Sequence, residues 1–189
     1  MNLANIASFV RILLIPFFVY CLLKEENAIA FGIFLLAGIT DYLDGYFARA
    51  FKERTKLGSY LDPAADKLLV AASFITLTIL KDIPLWLTIL VFTRDLVISL
   101  SSILALLIIG AVEIRPTLAG KGAVFFQLAL VLTILVFKQP FPPFLSRLGS
   151  SDVVREIIFQ LCIGTAFFTA LSGVQYLYRG GKELIRRSK

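Results

Sequence analysis

Residues 28–49 read AIAFGIFLLAGITDYLDGYFAR, in which an apolar run ends directly in an acidic pair. The uninterrupted apolar part, Ala28–Thr40, forms about 20 Å of helix, whereas a bilayer has a hydrocarbon core of roughly 30 Å. The helix must therefore complete its crossing with the segment that follows, which carries Asp41 and Asp44 inside the membrane boundary. Because a charge at that depth is costly, the acidic pair indicates a functional site.

A second acidic pair lies at the start of another apolar run. Residues 58–66 read GSYLDPAAD and lead into Leu68–Leu80, which again forms about 20 Å of helix. Asp62 and Asp66 therefore share a depth with the first pair. The acids of each pair are three or four residues apart, which places each pair on one face of its helix. We expect the four carboxylates to converge just inside the cytoplasmic face.

The whole chain is too apolar for a soluble domain of its length. It has 189 residues, of which 58% are hydrophobic and 17% charged, and a mean hydropathy of +0.86, as is typical of membrane proteins. Six apolar stretches approach the roughly 20 residues that cross a bilayer as a helix: Ile6–Leu23, Ala28–Ala48, Gly58–Leu80, Pro84–Gly110, Leu118–Phe137 and Ile157–Tyr178. The sequence predicts an all-α polytopic membrane protein with six transmembrane helices, in a single domain covering residues 1–189.

The charge distribution indicates the partners and the orientation. The net charge is +6, and the basic residues lie mostly in short connections and in the C-terminal tail. This favours anionic lipid headgroups and phosphorylated substrates as partners over nucleic acid. More Lys and Arg residues lie in the second loop, the fourth loop and the tail than in the odd-numbered loops. The positive-inside bias then puts both termini and the acidic cluster in the cytoplasm.

The acidic cluster requires bound cations, because four like charges in a low-dielectric setting repel one another. The chain contains no histidine, and Cys21 and Cys162 lie inside apolar runs without zinc-site spacing. An oxygen-only site favours Mg²⁺ or Mn²⁺, and four carboxylates suit two ions that assist a phosphoryl transfer. Two structural explanations stay open: Asp62 as a helix cap before a proline, and Asp41 in a bridge to Arg49.

Residues 41–66 as a whole match the signature D-x2-D-G-x2-A-R-x8-G-x3-D-x3-D of the CDP-alcohol phosphotransferases at every fixed position. The chain therefore resembles this family, and its six-helix layout extends the resemblance over nearly the whole length. The resemblance implies an enzyme that moves a phosphatidyl group from CDP-diacylglycerol to an alcohol. It also implies a homodimer in which each protomer holds its metal ions in a polar cavity open to the cytoplasm, while lipid tails enter between the helices.

The resemblance assigns roles to the four acids. Asp41, Asp44 and Asp62 match metal ligands of the family. Asp66 matches the residue that serves as both ligand and general base. In that role it would take the proton of the acceptor hydroxyl as its oxygen attacks the β-phosphorus and CMP leaves.

Other residues match the part of the family site that holds the CDP moiety. Gly45, Ala48 and Gly58 have little or no side chain, which lets a flat cytidine ring approach the backbone; close helix packing is the alternative explanation. Arg49 resembles a diphosphate ligand, since a guanidinium binds phosphate oxygens with two parallel hydrogen bonds. Asn5 resembles a nucleotide contact, and a helix cap explains it equally well.

Three cations in the C-terminal half predict a pocket for a phosphate on the acceptor. Arg94 lies within the otherwise apolar fourth span, and Arg115 and Lys121 flank the fourth loop. The alternative for Arg94 is a salt bridge to an acid on a neighbouring helix. The alternative for Arg115 and Lys121 is an ordinary basic loop.

A phosphate pocket suits sn-glycerol 3-phosphate as the acceptor and phosphatidylglycerophosphate as the product. Thr55–Gly58 and Leu61–Lys67 resemble the corresponding stretches of phosphatidylglycerophosphate synthases. Three other features instead resemble cardiolipin synthases that use CDP-diacylglycerol, in which the acceptor is phosphatidylglycerol: the pair Arg94-Asp95, the pair Pro116-Thr117 and the region Phe168–Lys182. That acceptor stays open as the alternative, with inositol phosphate and serine as lesser ones.

A small transporter for divalent cations or protons would also carry acids inside a membrane. Against it, the acids are confined to one side of the bilayer, and a transporter has no need of small residues beside them. We therefore predict a metal-dependent enzyme in a bacterial cytoplasmic membrane, with its active site on the cytoplasmic side.

Overall fold

The computed structural model describes the backbone of residues 3–51, 58–109, 117–138 and 151–187, and the side chains of residues 10–40, 67–101, 117–138 and 152–178. Within those ranges the chain forms helices joined by short connections, and no strand occurs. The helices are α1 (Leu3–Leu23), α2 (Asn27–Phe51), α3 (Gly58–Ile79), α4 (Leu85–Ile109), α5 (Leu118–Phe137) and α6 (Ser151–Arg187). The predicted all-α class is confirmed.

Two segments with described side chains are long and apolar enough to span a membrane, namely Leu118–Phe137 and Asp152–Tyr178. Shorter apolar segments occur in the first three helices, at Val10–Leu23, Asn27–Thr40 and Lys67–Ile79. In α2 and α3 the apolar part adjoins the acidic segment, as the sequence predicts. The number of membrane spans, six, stays a prediction.

α6 is longer than the apolar run Ile157–Tyr178 that predicts it. The helix begins at Ser151 and continues to Arg187. Asp152 lies in its first turn, where a carboxylate interacts favourably with the positive end of the helix dipole. Hydropathy detects only the apolar part of a helix, so polar extensions at both ends escape it.

The helices group into two compact units. The first contains Met1–Asp82 and Val131–Leu148, and the second contains Ile83–Leu130 and Gly149–Lys189. α5 therefore contributes its N-terminal part to the second unit and its C-terminal part to the first. The single-domain organisation stays a prediction.

In the first unit α1 packs against both α2 and α3. Phe18 of α1 and Phe34 of α2 form a tilted aromatic pair with ring centroids 6.0 Å apart. Phe74 and Leu77 of α3 are fully buried. In lipid such packing is stabilised by van der Waals contact, because the lipid tails are as apolar as the side chains.

α1 and α3 each end in a turn that contains a residue with positive φ, Glu25 at 62° and Lys81 at 65°. In the second turn Asp82 donates its N–H to the carbonyl of Leu77 at 2.9 Å, which is the long bond of a Schellman motif. The first turn has the same bond pattern. Asp82 also forms an ion pair with Lys138, whose Nζ lies 2.5 Å from Oδ2, and this pair ties the end of α5 to the turn.

In the second unit α4 packs along α6, and α5 meets α6 through two glycines. A Cβ at Gly122 would lie 2.6 Å from the ring of Phe168, and one at Gly164 would lie 2.6 Å from the ring of Phe126. The two rings stack with centroids 5.0 Å apart. Because residue 122 faces 168 and residue 126 faces 164, the helices run antiparallel here, and each glycine accommodates a ring from the other helix.

Replacing Lys81 with glycine should stabilise the protein. A left-handed conformation costs a non-glycine residue about 1–2 kcal/mol. Glycine avoids this cost, but its greater conformational freedom in the unfolded state destabilises the folded protein by about 0.5–1 kcal/mol. We expect a net gain of up to about 1 kcal/mol, measured as a higher melting temperature in detergent. Glu26→Gly is the matched control, because Glu26 lacks a positive φ, and it should lower the melting temperature. A lower value for Lys81→Gly as well would contradict the strained turn.

Gly164→Ala should destabilise the second unit by about 1–3 kcal/mol, because the new methyl group overlaps the Phe126 ring and forces it off its stack. Gly32→Ala is the control. A Cβ there has no neighbour within 4 Å, so alanine should be neutral or stabilising by up to about 1 kcal/mol. Thermal unfolding of both variants separates the two effects, and equal melting temperatures would show that the glycine–ring contact is unimportant.

Candidate active site

The four predicted metal ligands lie on two helices of the first unit. Asp41 and Asp44 belong to α2. Asp62 and Asp66 belong to α3, and both helices pack against α1. Asp44 lies about 10 Å before the end of its helix and Asp66 about 12 Å after the start of its own, so the pairs have similar positions on either side of the connection. Their side chains lie outside the described residues, and the metal site stays a prediction.

The described side chains contain no cluster of three or more His, Cys, Asp or Glu residues. The predicted contacts to the CDP moiety lie on the same three helices of the first unit, at Asn5, Gly45, Ala48, Arg49 and Gly58. Their side chains also fall outside the described residues. The helices that carry these residues pack together, because α1 contacts both α2 and α3. The role of each residue stays a prediction.

α1 contributes a buried charge that sequence reasoning leaves without a role. Arg11 is 2% exposed and is among the largest buried side chains of the described chain. Burying a guanidinium in an apolar setting costs on the order of several kcal/mol unless acidic groups offset its charge. Its helix packs on both helices that carry the aspartates. The signal was present in the sequence, as one arginine that interrupts the first apolar run.

Arg94 lies on α4 in the second unit, with 11% of its side chain exposed. Its Nη1 is 2.5 Å from Oδ1 of Asp95, and its Nε and Nη2 donate to Oγ of Ser172 on α6 at 3.3 and 3.0 Å. Within the described part of the chain, Arg94 therefore pairs with the next residue of the same helix and not with an acid on a neighbouring helix. A guanidinium has five N–H groups, and two of those on Arg94 have no partner among the described residues.

The first turn of α5 meets Arg94. Thr117 caps this helix, since its Oγ1 accepts the N–H of Gly120 at 3.0 Å. A Cβ at residue 120 would lie 3.2 Å from Oγ1 of Thr117 and 3.3 Å from Nη2 of Arg94, so a side chain here would displace these groups by a few tenths of an ångström. The partial positive charge of a helix N-terminus adds to that of the arginine. We call Arg94, Thr117, Gly120 and Ser172 the Arg94 junction, and its electrostatics favour an anion.

Of the two other predicted phosphate ligands, only Lys121 lies among the described residues. Lys121 is exposed on the first turn of α5, next to the junction in the chain. Arg115 lies outside the described residues, and the roles of both cations stay predictions. Sequence reasoning missed Ser172 and Gly120, because a serine or a glycine in an apolar helix carries no sign of its contacts with other helices.

Comparison with known proteins decides the family. A sequence model of the CDP-alcohol phosphatidyltransferases matches residues 1–170. The chain belongs to the CDP-alcohol phosphatidyltransferase family. It is 31% identical to the probable phosphatidylglycerophosphate synthase of Mycobacterium tuberculosis, across 97% of this chain and 83% of that protein. It is 30% identical to the CDP-diacylglycerol–glycerol-3-phosphate 3-phosphatidyltransferase of Bacillus subtilis, across 97% of each chain.

A further relative of this family carries another name. The chain is 32% identical to the cardiolipin synthase (CMP-forming) of Rattus norvegicus over 96% of its own length, which corresponds to 62% of the rat protein. Family membership makes the protein a membrane-associated transferase of phospholipid biosynthesis, which uses CDP-diacylglycerol, an alcohol and divalent metal. The predicted enzyme class is confirmed, and the transporter alternative is set aside.

Proposed function

We propose that this chain transfers the phosphatidyl group of CDP-diacylglycerol to the hydroxyl of sn-glycerol 3-phosphate, releasing CMP and forming phosphatidylglycerophosphate. The Arg94 junction supports an acceptor that carries a phosphate. It presents a nearly buried guanidinium with two N–H groups left over, next to the positive end of α5. A phosphate on the acceptor would accept those N–H groups. The similarity to two proteins named for this reaction along 97% of the chain supports the same choice.

The acids of α2 and α3 are the proposed ligands of two ions, Mg²⁺ or Mn²⁺. The donor set fits such ions, because Asp41, Asp44, Asp62 and Asp66 supply only oxygen atoms from two helices that share α1 as a support. When bound, the ions stabilise charge on the attacking and leaving oxygens of the phosphoryl transfer. Arg11 on α1 offsets the negative charge of these acids, which accounts for its burial.

The remaining steps are proposed for side chains of the same unit. Asp66 takes the proton of the acceptor hydroxyl, which raises the nucleophilicity of its oxygen. Arg49 holds the diphosphate, and the small residues Gly45, Ala48 and Gly58 let the cytidine lie against the backbone. Asn5 completes the contacts to the nucleotide from α1.

Lys121 and Arg115 are proposed to help Arg94 attract the acceptor phosphate. Lys121 is exposed on the turn that Gly120 brings to Arg94, so it adds to the local positive potential without being buried. We further propose that the enzyme works as a homodimer in a bacterial membrane, with six spans, both termini in the cytoplasm and its lipid substrate entering from the bilayer. The positive-inside bias supports this orientation.

A specific observation favours a second candidate acceptor, phosphatidylglycerol. The relatives named cardiolipin synthase include the rat protein at 32% identity and one from Streptomyces coelicolor at 35% identity over 101 residues. Phosphatidylglycerol also carries a phosphate for Arg94. The chain covers a smaller share of these proteins, 62% and 47%, than of the proteins from Mycobacterium tuberculosis and Bacillus subtilis, 83% and 97%, which makes this candidate the second choice.

The reaction is tested by CMP release from purified protein given CDP-diacylglycerol, Mg²⁺ and one acceptor at a time. We expect turnover to be fastest with sn-glycerol 3-phosphate, to vanish in EDTA and to return with Mg²⁺ or Mn²⁺. Asp66→Asn should slow turnover about 10²-fold or more while the protein stays folded, because general-base help is lost. Full activity in chelator would refute the metal site, and faster turnover with phosphatidylglycerol would select the second candidate.

Arg94→Lys should weaken the acceptor and spare CDP-diacylglycerol. A lysine offers a point charge where the guanidinium offers a planar fork, and loss of a charged hydrogen bond of about 1.5–3 kcal/mol corresponds to a roughly 10- to 150-fold rise in the acceptor KM. Arg155→Lys, on an exposed position of α6, controls for the change of residue type. Equal losses for both substrates, together with a lower melting temperature, would reduce Arg94 to a structural bridge with Asp95 and Ser172.

A further inference from the structure

Three buried polar side chains of the second unit have a hydrogen-bonding atom that finds no partner among the described residues. These atoms are Nε2 of Gln127 on α5 and Oγ1 of Thr165 and Thr169 on α6. The threonines are completely buried, and Gln127 is 2% exposed. Each such atom costs about 1–3 kcal/mol when it stays unsatisfied. All three therefore need a partner that the described residues do not supply.

The two threonines behave differently from three hydroxyl side chains of α3. On α3, Ser73, Thr76 and Thr78 each donate to the carbonyl four residues earlier, at 2.8, 2.7 and 2.7 Å. Any serine or threonine in a helix can satisfy its hydroxyl through this hydrogen bond to the backbone. Thr165 and Thr169 do not take it, so their hydroxyls are available to another group.

The packing of α5 on α6 brings the three side chains to one side of the helix pair. Gly122 and Phe126 face Phe168 and Gly164. In antiparallel helices that face each other through given residues, the residues that come next in each chain point to the same side, because each step turns a helix by about 100°. Gln127 follows Phe126, and the two threonines follow Gly164 and Phe168. All three therefore border the same side of the contact.

This polar side continues to the Arg94 junction. Ser172 lies three residues after Thr169, is completely buried and accepts two N–H groups of Arg94. We call Thr165, Thr169 and Ser172 the hydroxyl row. From its first to its last member the row covers about 10 Å of helix. Its Ser172 end contacts the nearly buried guanidinium of Arg94, and its Thr165 end lies farther along α6.

We propose that the hydroxyl row and Gln127 bind the glyceryl hydroxyl of the acceptor that does not react. This inference rests on the proposed function, in which Arg94 holds the acceptor phosphate. The unpartnered atoms are a neutral amide donor and two hydroxyls that both donate and accept, which suits a ligand hydroxyl. An acyl chain would leave all three unsatisfied. Glycerol 3-phosphate and phosphatidylglycerol both carry a glyceryl group esterified to phosphate, so the row could bind either acceptor through this shared group.

The test compares Thr165→Val, Thr169→Val and the double variant with the wild-type enzyme. Valine keeps the shape and removes the hydroxyl. In CMP release assays the acceptor KM should rise about 2- to 12-fold per lost hydrogen bond, while the KM for CDP-diacylglycerol stays constant. Without acceptor the melting temperature should stay equal or rise, because an unsatisfied buried group is gone. Thr76→Val is the matched control: its hydroxyl bonds within α3, so the acceptor KM should not change.

A deoxy acceptor sharpens the result. The phosphate monoester of 1,3-propanediol keeps the terminal hydroxyl and lacks the central one. The wild-type enzyme should discriminate against it, and the double variant should lose that discrimination. Assays with glycerol 3-phosphate and with phosphatidylglycerol identify the source of the glyceryl group.

Three outcomes would overturn the inference. An unchanged acceptor KM in the double variant would mean that water alone satisfies the row. A lower melting temperature with parallel losses for both substrates would make the hydroxyls structural. The third outcome is a wild-type enzyme that releases no CMP with either glyceryl acceptor, which would refute the proposed function along with the inference. In the first two outcomes the wild-type enzyme turns over normally, so the two failures are distinguishable.

Discussion

A charge inside an apolar protein must be met by an opposite charge or by a ligand, and the rest of this structure depends on that constraint. Arg11 shows it in the first unit, where a nearly inaccessible guanidinium lies on the helix that supports both acidic helices. Arg94 shows it in the second unit. Asp95 and Ser172 meet part of its hydrogen-bonding capacity, and its Nη2 lies beside Gly120 in the first turn of α5, where a helix N-terminus attracts an anion.

Glycine makes this arrangement possible at the level of the backbone. Gly120 removes the methyl group that would hold Arg94 away from α5, and Gly122 and Gly164 admit the two stacked rings that set the register of α5 on α6. That register in turn decides that Gln127 and the threonines share one side. Close approach in lipid relies on such small residues, since the hydrophobic effect does not drive helices together there.

Local sequence pattern predicts the helices well, because each apolar run has to be helical in lipid to satisfy its own backbone. The signature of Asp41 to Asp66 likewise predicts the family, since its chemistry requires those residue types at that spacing. The partners of Arg94 escape prediction. Ser172 lies 78 residues away in the chain, and contacts between distant helices leave no periodic trace in either segment. Arg11 was visible as an interruption of an apolar run, but its burial depends on three packed helices.

α5 belongs to both units, and its far end is tied by Lys138 to the turn that closes α3. The first unit is therefore discontinuous in the chain. On the ribosome, the three N-terminal helices leave the exit tunnel long before the segment that completes their unit. The contacts of α1 with α2 and α3 lie within the first 82 residues and can form before then, whereas the Lys138–Asp82 pair forms only after α4 has also been made. A gene split at the unit boundary between Leu130 and Val131 would yield two fragments that each lack part of α5, whereas a split between Asp82 and Ile83 would leave every described helix whole.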